Sequence, residues 1–172
     1  GADANLDAAG YANSILAIRT GGGTPELAAW DLSKAAIAAH LAGETVARDA
    51  FMQVIQATPN ASDGTHTTSD VVGLTGAVWA SAVTGINLDP TSGKWASANS
   101  TAQLANLMLA WRAPGGGFVG STAAAGGVID ANADTQTTAF AMQALDAVDR
   151  STYATQITSG FAYITSLQEA SG

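Results

Sequence analysis

Apolar and polar positions along this chain follow a helical period. In the last segment, residues 157–167, the apolar residues Ile157, Phe161 and Ile164, with Tyr163 or Leu167, recur at the spacing of one helix face. Similar segments lie at 6–18, 50–56 and 102–111, and each runs on into a glycine or Pro-Gly stop: Gly21 to Gly23, Gly64, Gly115 to Gly117, and Gly172. Between them stand three segments of a second kind, richer in alanine. Residues 27–41 begin just after Pro25, a residue suited to a first helical turn; residues 71–83 follow Asp70, and residues 135–148 follow Asp134. The pattern predicts seven helices of two alternating types. The last glycines of successive clusters are 41, 53 and 55 residues apart. A period of that size indicates an array of stacked helix hairpins. Three connections are long, at 58–69, 85–97 and 113–133, and a long connection inside a compact array points to function.

Composition sharpens this picture. At 172 residues the chain is read as one all-α domain with enough length for a core, and 47% of its residues are apolar although aromatics are few. Small side chains suit closely packed helices. The net charge is -8, from 14 acidic and 6 basic residues. With no cluster of Lys and Arg to meet phosphates, nucleic acid is excluded as an expected partner. The apolar runs fall short of the roughly 20 residues that span a bilayer, so no membrane span is expected. Cysteine is absent, which removes disulfides, thiolate zinc sites and cysteine nucleophiles together. The chain starts Gly1-Ala2, without a signal-peptide apolar region, and is read as a mature or excised piece of a longer protein. An acidic, cysteine-free, Thr/Ser/Asn-rich composition gives an extracellular or cell-surface expectation.

The stretches Phe161-Ala-Tyr-Ile-Thr-Ser-Leu-Gln-Glu-Ala-Ser-Gly172, Ala110-Trp-Arg-Ala-Pro-Gly-Gly-Gly-Phe118 and Asp134-Thr-Gln-Thr-Thr-Ala-Phe-Ala-Met-Gln-Ala-Leu145 resemble the repeats of terpene cyclases and protein prenyltransferases. The resemblance implies an α/α toroid, a ring of inner helices inside outer ones. Seven helices make about half of a six-hairpin ring, so 1–172 is expected to be a single toroid-like domain forming a partial ring. The resemblance implies no reaction. The chain lacks the zinc-binding cysteine of the prenyltransferases, the adjacent aspartates of the squalene-hopene cyclases and the Cys-Gly-Glu-Gln motif of macroglobulin thioester domains.

Candidate chemistry concentrates in Asp130-Ala-Asn-Ala-Asp134, echoed by Asp3-Ala-Asn-Leu-Asp7. Asp130, Asn132 and Asp134 match the first ligands of a calcium loop, but Thr135 and Ala141 stand where that loop needs Gly and Glu. The second copy fails at the same places, with Ala8 and Ser14. The favoured reading is helix capping, with Asp134 accepting backbone N–H bonds. His40 lies near a helix end, a structural position. His66 sits in a loop with better access. Trp30, Trp79 and Trp111 are read as core wedges, whereas Trp95 lies in a polar loop where it can stack a sugar or anchor a partner. The candidate ligand-binding residues are thus His66, Phe118, Asp130, Asn132, Asp134 and Trp95, with no metal site and no cofactor expected. The expected function is a non-catalytic binding module with a concave inner-helix face, its partner a glycan, a small molecule or a protein. The alternatives are an enzyme on an α/α ring, of terpene-cyclase, polysaccharide-lyase or glycosidase type and using Asp130, Asp134, His66 or Tyr153, and a structural spacer.

Overall fold

The computed structural model describes Gly10 and residues 25–57, 70–89, 98–119 and 133–168. Within them the chain is helical, with one small exception. The helices are α1 (Pro25–Leu41), α2 (Thr45–Ala57), α3 (Asp70–Thr84), α4 (Thr101–Leu109), α5 (Thr135–Asp149) and α6 (Ala154–Ser166). The exception is a two-residue ladder in which β1 (Phe118–Val119) pairs antiparallel with β2 (Ala133–Asp134). The predicted helix at 6–18 lies, apart from Gly10, outside the described residues, as do the connection at 58–69 and most of the other two.

Local chemistry explains where the helices stop. After Leu41 the chain turns at Gly43, whose φ of +78° favours glycine. Glu44 then donates to the Ala39 carbonyl at 2.8 Å and Gly43 to His40 at 3.0 Å, which satisfies the carbonyls that a helix end leaves open. A three-residue connection of this kind turns α2 back along α1. At its other end, α4 is opened by Ser100, whose hydroxyl accepts from the Gln103 N–H, while the Gln103 side chain accepts from the Asn99 N–H at 2.6 Å.

The alanine-rich helices α1, α3 and α5 are neighbours, with α3 packed against both of the others. Each is backed by the helix that follows it: α2 on α1, α4 on α3, α6 on α5. Directions follow from the contacts. Thr75, early in α3, donates to the Met108 sulfur late in α4, and Ser81, late in α3, meets Thr101 at the start of α4; α3 and α4 are antiparallel. Gly160 of α6 lies against Met142 and Thr138, and the Tyr163 hydroxyl donates to the Ala133 carbonyl at 2.6 Å, so α5 and α6 are antiparallel too. The Tyr153 hydroxyl, at the start of α6, reaches the Ala102 carbonyl at the start of α4 at 3.5 Å and Asn106 one turn further on at 3.3 Å. The turn after α4 places Gly116 on Ser159 and Gly117 on Tyr163. Thus α4 and α6 run parallel, and therefore α3 and α5 do as well.

The core lies between the two rows. Leu32, Leu74, Val78, Leu104, Met108, Phe118 and Leu145 are its fully or almost fully buried members, with Phe51, Met52 and Ile55 supplied by α2. Each such side chain contributes on the order of 1.5–3 kcal/mol when removed from water. Alanines at 36, 77, 80, 105, 141 and 144, all fully buried, let the helices approach. The ladder was not expected, because 113–133 reads as a continuous connection. Its two ends are instead joined, and the Phe118 N–H donates to the Thr138 hydroxyl at 2.8 Å.

Candidate ligand-binding surface

Two of the sequence-predicted site residues are brought together, and both are structural. Phe118 and Asp134 face each other in the ladder. The Asp134 carboxylate caps α5: one oxygen accepts the Thr137 N–H at 2.7 Å and the other accepts the Thr137 hydroxyl at 2.9 Å. Its backbone carbonyl accepts from the Thr138 hydroxyl at 2.6 Å, and that hydroxyl in turn accepts from Phe118. Phe118 itself is fully buried in the core. Its expected place as an accessible ligand anchor is therefore corrected: a glycine-flanked aromatic looks exposed in sequence, but the ladder turns its ring inward. His66, Trp95, Asp130 and Asn132 lie outside the described residues. Tyr153 is buried; desolvation raises its phenol pKa above the ordinary value and Asp149 adds to the rise, and its hydroxyl serves to link α6 to α4. Among the described residues, no group of three or more His, Asp or Glu side chains is placed to hold a metal ion.

A different cluster joins the three alanine-rich helices. Trp30 of α1, Trp79 of α3 and Phe140 of α5 are each half-buried. The Trp30 and Phe140 ring centroids are 4.6 Å apart and tilted by 54°, and Trp79 stands 6.5 Å from Trp30. Gly76 makes the approach possible, since a Cβ there would lie 2.9 Å from the Trp30 ring. On α3 the residues Val72, Gly76, Trp79 and Val83 form one helical stripe. That stripe lies opposite Ser81, which bonds to Thr101 of α4. The aromatic cluster lies where α1 meets α3 and α5, with Trp79 and Val83 packed against the core. Val72, Trp79 and Val83 remain half-buried there, although most of α3 is buried. Polar side chains surround the rings. The Lys34 ammonium stands 5.3 Å over the Trp30 ring and pairs with Asp31 at 3.0 Å, and Gln136 and Gln143 are exposed one turn to either side of Phe140.

The reading of Trp30 and Trp79 as wedges between alanine-rich helices holds in part: Trp30 packs on Gly76, Trp79 packs against the core, and both rings stay half-buried. Phe140 is the ring that the sequence reading leaves out. A legible signal existed. In α1 and α5 the aromatic has exposed polar residues one turn away, Lys34 in one and Gln136 and Gln143 in the other, beside buried apolar ones, Ile37 and Ala144.

Two further clefts lie on the described surface. One, of about 360 Å³, is lined by Ser81, Asn87, Ser100, Thr101 and Val148 among others. Its polar groups already serve the fold: Asn87 accepts the Thr101 N–H at 2.9 Å and donates to the Asn99 carbonyl at 3.1 Å. The other, of about 370 Å³, is an apolar groove between α1 and α2, floored by alanines and Phe51. No helix of the described residues is long and apolar enough to cross a membrane. Comparison of the chain with protein-family models, curated proteins and solved structures finds no significant match.

Proposed function

We propose that this chain is a non-catalytic binding module, built as an arc of an α/α toroid and displayed at a cell surface or outside the cell, that takes its ligand on the face shared by α1, α3 and α5. The observation that carries the reading is the convergence of Trp30, Trp79 and Phe140 from three helices. Large aromatics left half-open and rimmed by Lys34, Asp31 and glutamines offer stacking area together with orienting polar groups, the usual make-up of a ligand site. A structural spacer would have no use for that exposure. The toroid part of the reading draws support from the alternation of inner and backing helices and from the parallel run of α3 and α5. The surface location rests on composition alone. His66, Trp95, Asp130 and Asn132, outside the described residues, are proposed as further ligand contacts.

The test is a glycan and small-molecule screen against the isotope-labelled protein, read from its tryptophan indole N–H signals. Ligands are expected to shift the Trp30 and Trp79 signals, and their binding should be lost in Trp79→Leu while surviving in a Phe161→Ala control. His66→Ala and Trp95→Ala, run beside them, report on those further contacts. Ligands that bind yet shift neither Trp30 nor Trp79, or whose binding depends on Phe161, would place the site elsewhere and end the proposal.

A further inference from the structure

The half-buried Trp30 ring already holds a cation. Lys34 is one turn further along α1 and carries its ammonium 5.3 Å above the ring centroid. The Asp31 carboxylate meets the same ammonium at 3.0 Å. An indole ring attracts a cation because its quadrupole concentrates negative charge above the ring plane. Phe140 and Trp79, at 4.6 and 6.5 Å from Trp30, extend the apolar wall beside it. The intramolecular occupant is weakly held. The Lys34 side chain is 51% exposed, its partner Asp31 is 26% exposed, and a pair so open to water contributes little. A site whose own lysine sits in it loosely is open to competition from a ligand of the same chemistry.

Resting on the reading that this face binds a ligand, we infer that the ligand presents an alkylammonium group, which displaces the Lys34 ammonium from Trp30 and pairs with Asp31. An anionic group is disfavoured at the same spot, because Asp31 stands beside the ring and already neutralises Lys34. The whole chain, at net charge -8, favours the approach of cations. No covalent step is involved: one ammonium replaces another, and the freed Lys34 returns to solvent.

The experiment titrates choline into the intact protein, following tryptophan fluorescence and the indole N–H signals, with 3,3-dimethylbutan-1-ol as the neutral probe of the same shape. Choline is expected to bind saturably and to shift Trp30, and the alcohol to bind at least several-fold more weakly. Lys34→Ala removes the competitor and should tighten choline binding roughly two- to five-fold, the equivalent of one exposed cation–π contact. Arg48→Ala removes an equal charge from the first turn of α2 and should leave the affinity unchanged. Asp31→Asn should weaken it. All three substitutions are at polar positions, and circular dichroism checks that each variant is folded. Equal binding of choline and the alcohol would overturn the ammonium inference while leaving the ligand-binding face intact. Failure of choline to bind, while other ligands shift Trp30 and Trp79, would overturn it in the same way. Weaker choline binding in Lys34→Ala, or equal tightening in Arg48→Ala, would overturn the displacement.

Discussion

Single side chains in this protein settle questions that a motif leaves open. Asp134 looks equally fit for a calcium loop or a helix cap, and the hydrogen bonds decide: both carboxylate oxygens are taken by Thr137. Replacing Asp134 by Ala should cost about 1 kcal/mol, the usual value of a lost cap, measurable as a lower urea midpoint with unchanged slope. Calcium should leave the melting temperature of the wild type unaltered, since a ligand that binds the native state must raise it. Asp149 plays a related part at the α5–α6 turn. One of its oxygens accepts from the N–H groups of Ser151 and Thr152, at 2.9 and 3.1 Å, and the Ser151 and Thr152 hydroxyls also donate to the carboxylate. These bonds, the Ser151 hydroxyl first, hold its pKa down to about 2 from an ordinary 3.8. A carboxylate depressed in the folded state favours folding above its unfolded pKa, and this contribution is lost as pH falls. Asp149→Asn should therefore flatten the stability profile between about pH 4 and pH 2 and leave its shape near neutrality unchanged, as acid titration of the melting temperature would read. The capping role of Asp134 was legible from its place before an apolar helix. The burial of Phe118 was not, because it depends on pairing with Asp134, 16 positions away, in a ladder of two-residue strands.

At the scale of elements, the alanine-rich segments were the most legible part of the sequence. Predicted at 27–41, 71–83 and 135–148, they form helices within a residue or two of those bounds. The backing helices were harder to delimit. The second one begins at Thr45, five residues before the expected 50, since its first turn is Thr-Val-Ala-Arg-Asp, largely exposed and without apolar periodicity. The turn between α4 and the ladder shows how a glycine cluster can do more than end a helix. Gly116 has a φ of +94°, and a Cβ on it would lie 2.6 Å from the Ser159 carbonyl oxygen on α6. Both the backbone conformation and the backbone contact resist a side chain, and neither can be relieved by turning a flexible group. Gly116→Ala should thus destabilise the protein by more than the ~1 kcal/mol that a strained backbone alone costs, and should do so mainly by detaching α6 from the α4 turn. Comparing chemical denaturation of this variant with that of Gly43→Ala separates the two effects. Gly43 also has positive φ, but a Cβ there meets nothing within 4 Å.

Over the whole molecule, the two-row arrangement distributes stability unevenly. Helix α3 packs on α1, α4 and α5 and also touches α2. Val71, Leu74, Thr75, Ala77, Val78, Ala80 and Ser81 on it are all buried. Helix α6 is the opposite case. Of its 13 residues only Gly160 is buried, while Phe161 is 59% exposed. The Gln156 side-chain oxygen is buried with no hydrogen-bond partner, a further cost borne by the same helix. In an array where each hairpin holds mainly to its neighbours, stability is close to a sum of local interfaces, and an element held by few contacts opens first. Native-state hydrogen exchange should therefore find the amides of α3 exchanging only through global unfolding, while those of α6 exchange through a lower-energy opening that leaves α1 to α4 intact. Tyr153→Phe, which removes the hydroxyl that reaches Asn106 and the Ala102 carbonyl, should lower the opening energy of α6 by about 0.5–1.5 kcal/mol and should lower global stability by no more than that. If α6 and α3 amides instead share one exchange free energy, and Tyr153→Phe lowers both equally, the molecule is a single cooperative unit and the additive picture of stacked hairpins fails.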